Sequence, residues 1–384
     1  MKILLTIHHE FDRNAGAPGV TWKLGQEFEK LGHNVFYYSF NDLPPQIPKR
    51  VQGIVFPEFV ANHILKLTRH QTLDIIDAST GDAWFWSKLQ RNSRNRPLLV
   101  TRSHGLEHVM HLGNLAEADR GNLHLSWKYP LYHGGFRLWE VAESLRACDL
   151  ALLLNQFDVN YTVSELGVDR ARTHVVDNGI PEEFLNLPFE TTPTEQDTVL
   201  QIAQVGSYIH RKGIHYGVPA LNQILHRYPQ VRMSFLGTGC SEAQVLADFE
   251  PAVCDRVKVT PHYKHEMLPA LLQGHHIKLF PTLSEGFSLA LPEAMACGLV
   301  PVTTATPGPM EIVQDTNNGL LVPAQDAEAI TQALERLIRD RPYLEQLRRK
   351  AYETAQAYSW QKIAATTLAL YEQAKHFKEA NSAK

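Results

Sequence analysis

Cysteine is scarce in this chain of 384 residues. Cys148, Cys240, Cys254 and Cys297 form no close pair, which excludes the spacings of zinc and redox motifs and fits a reducing compartment. No apolar run approaches the ~20 residues of a membrane span. The apolar start of MKILLTIHHEF soon meets His8, His9 and Glu10, so it reads as a first strand and not as a signal peptide. The formal charge of −4 leaves no excess of one sign, and no nucleic-acid partner is expected. No Asp-x-Asp triplet occurs, so a carboxylate clamp for a metal ion has no candidate. The nineteen histidines do not replace it, because His8-His9 and His275-His276 are adjacent pairs that point opposite ways along a strand. No metal and no cofactor is expected, and the protein reads as cytoplasmic, with peripheral contact at the inner membrane face left open.

What is present is the composition of a soluble globular protein, 44% hydrophobic and 20% charged, on a chain long enough for two cores. In the first half, strand signals at residues 2–7, 34–39, 53–56, 74–78, 98–102 and 149–154 alternate with helical patterns at 20–31, 60–69, 82–90 and 136–147. Alternation of this kind predicts a parallel sheet covered on both faces, with ligands at the carboxyl ends of its strands. Residues 187–197, LPFETTPTEQD, are rich in Pro, Thr and acids and read as a linker. The pattern then restarts, with strands at 199–205, 232–236, 256–260, 277–281 and 300–304 and helices at 214–228, 265–272, 327–339 and 343–357. A last helix begins at Ser359-Trp360, runs to about Lys375 and is expected to cross back over the first domain with Trp360 as its anchor; the polar tail after Phe377 reads as frayed. The fold class is α/β, with doubly wound domains over 1–186 and 198–358 facing a central cleft, and 360–384 packed on the first.

Three loops carry chemistry. The stretch 285–301, EGFSLALPEAMACGLVP, follows a buried strand and opens a helix bounded by Ser288 and Gly298. It sets Glu285 in the loop and Glu293 in the first turns of the helix, with Gly286 and helix-start N–H groups between them, an arrangement suited to a phosphorylated sugar. The loop 206–213, GSYIHRKG, places Arg211 and Lys212 between a strand end and a helix start, where two cations neutralise a diphosphate. His104, in TRSHG, stands after a strand and faces the expected cleft. The glycine-containing loop 12–19, before a helix at 20–31, is a weaker anion signal. The segment 84–96, WFWSKLQRNSRNR, has the aromatic and basic composition of a membrane-surface helix, or of three aromatic residues packed under the sheet with a solvated basic end.

These motifs together resemble the group 1 (family 4) glycosyltransferases, retaining nucleotide-sugar enzymes of the GT-B fold. The resemblance is strongest in VGSYIHRKG, FLGTG, EGFSLALPEAMACGLVPV and NNGLLV, and extends through TRSHG and DNGI. It implies that Arg211 and Lys212 hold the donor pyrophosphate beside Gly206, and that Glu293 binds the ribose. Glu285 would contact the donor sugar, with Gly286, Phe287, Ser288 and Leu289 presenting backbone N–H groups. His104 would face the reacting side of the sugar, Gly16 or Gly19 would close over the phosphates, and the base would stack near Tyr263. The family's glycine-glycine loop appears here as Ala15-Gly16-Ala17-Pro18-Gly19, a departure from the pattern. The implied activity is retaining, metal-independent transfer of a hexose-type sugar from a UDP or GDP sugar to an acceptor glycan, lipid-linked sugar or small molecule, as in polysaccharide synthesis. Other activities on the same architecture are a sugar phosphorylase, an epimerase and a glycan-binding protein without turnover.

Overall fold

The structure, a computed structural model, describes residues 1–12, 16–90, 93, 95–191 and 199–382. It divides into two compact units, Met1–Gly179 with Trp360–Lys384, and Ile180–Ser359. The sequence boundary at residue 186 differs from this division, because Ile180 already donates its N–H to Tyr358 O at 2.7 Å and bridges to Ser359 inside the second unit. The described part of the 187–197 stretch also packs there: Tyr352 donates to Leu187 O at 2.6 Å, and Arg348 donates to Glu190 O at 3.0 Å. Residues 192–198 lie outside the described residues.

The first unit holds six parallel strands, β1 (Lys2–Ile7), β2 (Asn34–Ser39), β3 (Ile75–Ser79), β4 (Leu98–Arg102), β5 (Leu150–Leu153) and β6 (Thr173–Val175), in the order β2-β1-β3-β4-β5-β6. Ile3, Leu4, Leu5 and Ile7 are all buried, as a parallel strand covered on both faces requires. The sheet reverses its order between β1 and β3, the point beyond whose strand ends open α/β sheets take ligands. The expected strand at 53–56 is instead part of the helix Lys49–His70. Its β-branched residues suggested a strand, but Phe56, Val60 and Ile64 are buried at a spacing of four, and that helical face decided the conformation. The helix expected from 20 begins at Gly16 and takes Gly16 to Gly19 into its first turns, while Arg13 to Ala15 of the expected loop lie outside the described residues. Trp86 is buried, Trp84 and Phe85 are half-buried, and the Trp84 indole donates to Glu140 at 2.9 Å, so residues 84–86 pack into this unit. Among the described residues no helix is long and apolar enough to cross a membrane.

The final helix spans Trp360–Ser382, longer than its sequence pattern suggested. Lys378 extends it by bonding Asp149 at 3.2 Å and Arg96 O at 3.0 Å. Trp360 packs on Gly179, where any Cβ would lie 2.7 Å from the indole. Deeper in the unit, buried Tyr371 bonds Asp77, which also pairs with Arg102 at 2.7 Å, so this helix is tied to β3 and β4 by a buried polar group as well as by packing.

The second unit has strands β7 (Leu200–Val205), β8 (Val231–Leu236), β9 (Val257–Thr260), β10 (Ile277–Phe280), β11 (Val300–Thr304) and β12 (Leu320–Val322), ordered β12-β11-β10-β7-β8-β9. This is the doubly wound dinucleotide-binding order, and its reversal lies between β7 and β10. The helix Ala327–Arg339 shows how the flanking layer forms. Asp326 caps it by accepting from Ala329 N at 2.9 Å, and Ile330, Leu334, Leu337 and Ile338 form its buried stripe. Asp340 then caps Arg341–Ala355, accepting from Tyr343 N at 3.0 Å.

Candidate active site

The two loops that leave β7 and β10 meet at the reversal point of the second sheet. Gly213 lies under the carbonyl of Pro281, and a Cβ there would stand 1.7 Å from that oxygen. Its φ of +73° independently favours glycine. Leu283 N donates to Arg211 O at 2.9 Å, and the Arg211 guanidinium donates to Ser284 O at 2.9 Å. Gly308 closes the other side, donating to Glu285 O at 3.1 Å, and its missing Cβ leaves room for the carbonyls of residues 285 and 286.

This stitching brings together three charged side chains that the sequence places 73 and 74 residues apart. Glu285 Oε1 accepts from Arg211 at 2.7 Å and from Lys212 Nζ at 2.5 Å. Arg211 keeps 44% of its side chain in solvent, whereas Lys212 and Glu285 are mostly buried, so the guanidinium is the member best placed to meet an arriving ligand. Burial lowers the pKa of Lys212, and the neighbouring Glu285 partly restores it. Gly206, with φ +119°, lies beside the Lys212 stem; a Cβ there would come within 3.8 Å of Cε.

Glu293 is buried in the first turn of the helix Ala290–Ala296 and lies 2.9 Å from His265 Nε2. Tyr263 packs its ring on Gly237 of the FLGTG loop, where a Cβ would lie 2.9 Å from the ring edge. Burial, and then Glu293, push its phenol up to about 12, so it remains a neutral ring at physiological pH. Phe287 is buried and packs edge-on against Tyr358, with ring centres 5.8 Å apart.

Ser288 departs from the expected cap. The helix starts at Ala290 after Leu289, and Ser288 sits at φ +74° with its Oγ buried and unbonded. The N–H of Leu291 goes to Ser288 O and that of Glu293 to Leu289 O, and Pro292 has none. The helix-start donors are therefore narrowed to those of Leu289 and Ala290. A non-glycine residue in the left-handed region costs about 1 kcal/mol or more.

In the first unit the reversal point holds a polar cluster that sequence reading missed. His8 Nδ1 lies 2.7 Å from Asp82 Oδ1, and Asp82 Oδ2 accepts from Thr6 at 2.7 Å. Arg137 donates to Thr80 O at 2.7 Å and to Glu107 at 3.0 Å, and its NH2 lies 3.1 Å from His8 Nε2. Since a guanidinium can only donate, His8 accepts at Nε2 and donates from Nδ1 to Asp82. Glu140 is buried beside Arg137, and burial raises its pKa to about 7. The available signal was positional: His8 directly follows β1, and Thr80 and Asp82 follow β3.

His104 follows β4 and has its Nε2 shielded from solvent without a hydrogen bond. Burial, and then Arg102, lower its pKa to about 3, so its ring is neutral through the physiological range. Gly16 is exposed at the start of its helix and Gly19 is buried one turn further on. Arg211, Lys212, Glu285, Glu293, Tyr263 and Gly206 share one end of the second sheet, and His104, Gly16 and Gly19 belong to the first unit. Among the described residues no group of three or more His, Cys, Asp or Glu side chains is placed to hold a metal ion.

Residues 190–354 match the family described as glycosyl transferases group 1. The matched stretch contains the Arg211–Lys212–Glu285 triad, Glu293 and Tyr263. One curated relative is a component of the phosphatidylinositol N-acetylglucosaminyltransferase of Arabidopsis thaliana, 26% identical over 60% of this chain and 51% of its own length. This chain spans about half the length of the curated relatives it matches. Among solved structures, the sucrose-phosphate synthase of Thermosynechococcus elongatus aligns with a TM-score of 0.75 at 21% identity, covering 97% of this chain and 98% of that one. Anabaena Alr3699/HepE in complex with UDP aligns at 0.71 with 17% identity, covering 97% and 100%. At such identities the likeness shows the fold, which is the two-domain GT-B architecture of glycosyltransferases.

Proposed function

We propose that this protein transfers a hexose-type sugar from a nucleoside diphosphate sugar to an acceptor hydroxyl, with retention at the anomeric carbon and without a metal ion. The observation that carries the reading is the Arg211–Lys212–Glu285 triad at the reversal point of a dinucleotide-type sheet. Glu285 holds both cations in place while the site is empty. An arriving diphosphate shares them, so charge that grows on the leaving phosphate meets groups already oriented for it. In this reading Glu285 also reaches the sugar, Glu293 the ribose, and Tyr263 the base, while Gly206, Gly286, Phe287, Ser288 and Leu289 offer backbone contacts. His104, neutral and without a bond at Nε2, and Gly16 and Gly19 are the first unit's candidates for the sugar and the phosphates.

The reaction proceeds as a front-face displacement. The bond from the anomeric carbon to the diphosphate oxygen breaks, an oxocarbenium-like centre develops, the acceptor oxygen bonds to that carbon from the face the diphosphate leaves, and the departing phosphate takes the acceptor's proton. No carboxylate pair flanking the bond is then needed, unlike in glycosidases. The UDP complex of the Anabaena protein supports a uridine nucleotide as the first donor to test. The acceptor is proposed as a glycan, a lipid-linked sugar or a small molecule, and the setting as the cytoplasm, with contact at a membrane surface where the acceptor is lipid-linked.

A thermal-shift screen against UDP, GDP and ADP sugars identifies the donor, because a ligand of the folded state raises the midpoint by mass action. Turnover with that donor is then followed, and NMR of the product gives its anomeric configuration. Arg211→Ala is expected to raise the barrier by about 2–4 kcal/mol while weakening donor binding much less. Equal losses in both would remove Arg211 from its role. A protein that binds glycan but neither hydrolyses nor transfers from any nucleotide sugar would overturn the proposal.

A further inference from the structure

Lys278 stands in the middle of β10, on a strand buried on both faces where a charged residue is out of place. Its side chain is fully buried, and Nζ makes a long hydrogen bond, 3.4 Å, to Val205 O. Val205 is the last residue of β7, immediately before the 206–213 loop. The same amino group lies 5.2 Å from the centre of the Phe280 ring, and Lys212 Nζ lies 4.9 Å from that centre. Two lysines thus share one ring next to the carboxylate of Glu285.

An ammonium has three donors to satisfy. Burying one on a single weak bond costs several kcal/mol, whereas a methionine would fill similar space without that cost. The charged groups facing Lys278 are Lys212 from the loop after β7, Glu285 from the loop after β10 and Glu293 from the helix Ala290–Ala296. Glu285 is already bonded to Arg211 and Lys212, and Glu293 to His265. Burial, and then Lys212, push the pKa of Lys278 well below the usual lysine value, which favours the uncharged amine while the site is empty.

We infer that Lys278 is a positioning residue of the donor site: its buried amino group takes a proton from solvent when a nucleotide sugar's diphosphate binds, and so holds the end of β7 and the 206–213 loop in their binding form. The inference rests on the donor-site reading above. With the site empty, Arg211 and Lys212 balance Glu285 and Glu293. A diphosphate diester adds two negative charges, and the proton on Lys278 offsets one of them. No covalent bond is made or broken at Lys278.

The test is titration calorimetry of the full chain with UDP-, GDP- and ADP-glucose at pH 7.5, in two buffers of different ionisation enthalpy, using wild type, Lys278→Met and Lys278→Gln. These probes carry no phosphate group that titrates near that pH. Wild type is expected to take up as much as about one proton on binding its best donor, and its affinity to fall by as much as about tenfold per unit as pH rises from 7 to 9. Both variants are expected to lose that uptake, to bind about tenfold more weakly at pH 7 and to show a flat pH dependence. Their thermal midpoints should equal or exceed that of wild type, since a buried ionisable group is removed. Lys278→Gln keeps a donor for Val205 O, so it separates the proton from the hydrogen bond and serves if Lys278→Met does not fold. Zero uptake by wild type, or uptake and affinity unchanged in a folded variant, overturns the inference. If Arg211→Ala is impaired while both Lys278 variants match wild type, the donor site stands and Lys278 has no part in it. If no nucleotide sugar binds wild type, both readings fall together.

Discussion

Glu285 would be an expensive residue to bury alone, and its two cation partners explain how it persists in a loop that the proposed function opens to an anion. The same carboxylate sets the spacing of Arg211 and Lys212, so the cations are oriented before any ligand arrives. Glu293 is a different kind of acid, buried in a helix and held by His265 Nε2 at 2.9 Å. In the proposed role it accepts from ribose hydroxyls and has no duty toward the phosphates. Glu293→Gln is therefore expected to weaken binding of a nucleoside diphosphate about tenfold or more, the worth of one charge-assisted hydrogen bond, and to leave binding of inorganic pyrophosphate unchanged. Equal weakening of both in a calorimetric comparison would remove Glu293 from ribose recognition. The acid and bases of the triad were legible in the sequence because they lie in glycine-containing loops after strands, Arg211 and Lys212 between Gly206 and Gly213, and Glu285 before Gly286. The His8–Asp82–Arg137 cluster was not, since its members come from the residue after β1, the turn after β3 and a helix start after Phe136, with no shared motif.

At the scale of elements, the proposed donor site is two loops held as one body. Gly213 is the joint, because its Cα lies against the Pro281 carbonyl and its φ is +73°. Gly213→Ala combines a left-handed alanine with a backbone clash at 1.7 Å, so one loop must move. We expect a loss of about 3 kcal/mol or more in unfolding free energy, read from urea melts. Donor affinity should fall as well, because Arg211 and Glu285 stand on opposite sides of the joint. A variant as stable as wild type would contradict the close approach. The periodic elements of both units were readable from hydrophobic spacing, as in Ile330, Leu334 and Leu337 on their helix. The errors fell where local preference competed with packing. At residues 53–56 a β-branched run was folded into a helix by the buried face that Phe56 begins. At Ser288 a residue of good capping chemistry was turned away from the helix start, beside the buried Phe287 ring.

At the scale of the whole molecule, each unit buries a histidine that must stay neutral. His104 in the first and His276 in the second both have pKa values lowered to about 3, chiefly by burial. His276 also accepts the Gln201 N–H at Nδ1, a bond that protonation would remove. The ordinary value in an unfolded chain is about 6.5. Between pH 6.5 and 3 the unfolded state therefore binds more protons, so stability is complete above about pH 6.5 and declines as pH falls, by up to about 1.4 kcal/mol per unit for each histidine. Urea midpoints should drop between pH 7 and pH 5, and midpoints that stay level over that range would refute the assignment. The sequence by itself determined the class of the fold and singled out the loops of the candidate site, because burial on both faces of parallel strands and glycine after strand ends leave one-dimensional patterns. Tertiary structure alone decided which charges pair, since Arg211 and Lys212 meet Glu285 only after β7 and β10 become neighbours in the sheet. It also decided where the chain passes from one unit to the other, because hydrogen bonds of Ile180 and packing of Trp360, not composition, mark that boundary. Lys278 shows the same division: its place in an apolar strand is visible in the sequence, but its neighbours Lys212, Glu285 and Glu293 are set by the fold.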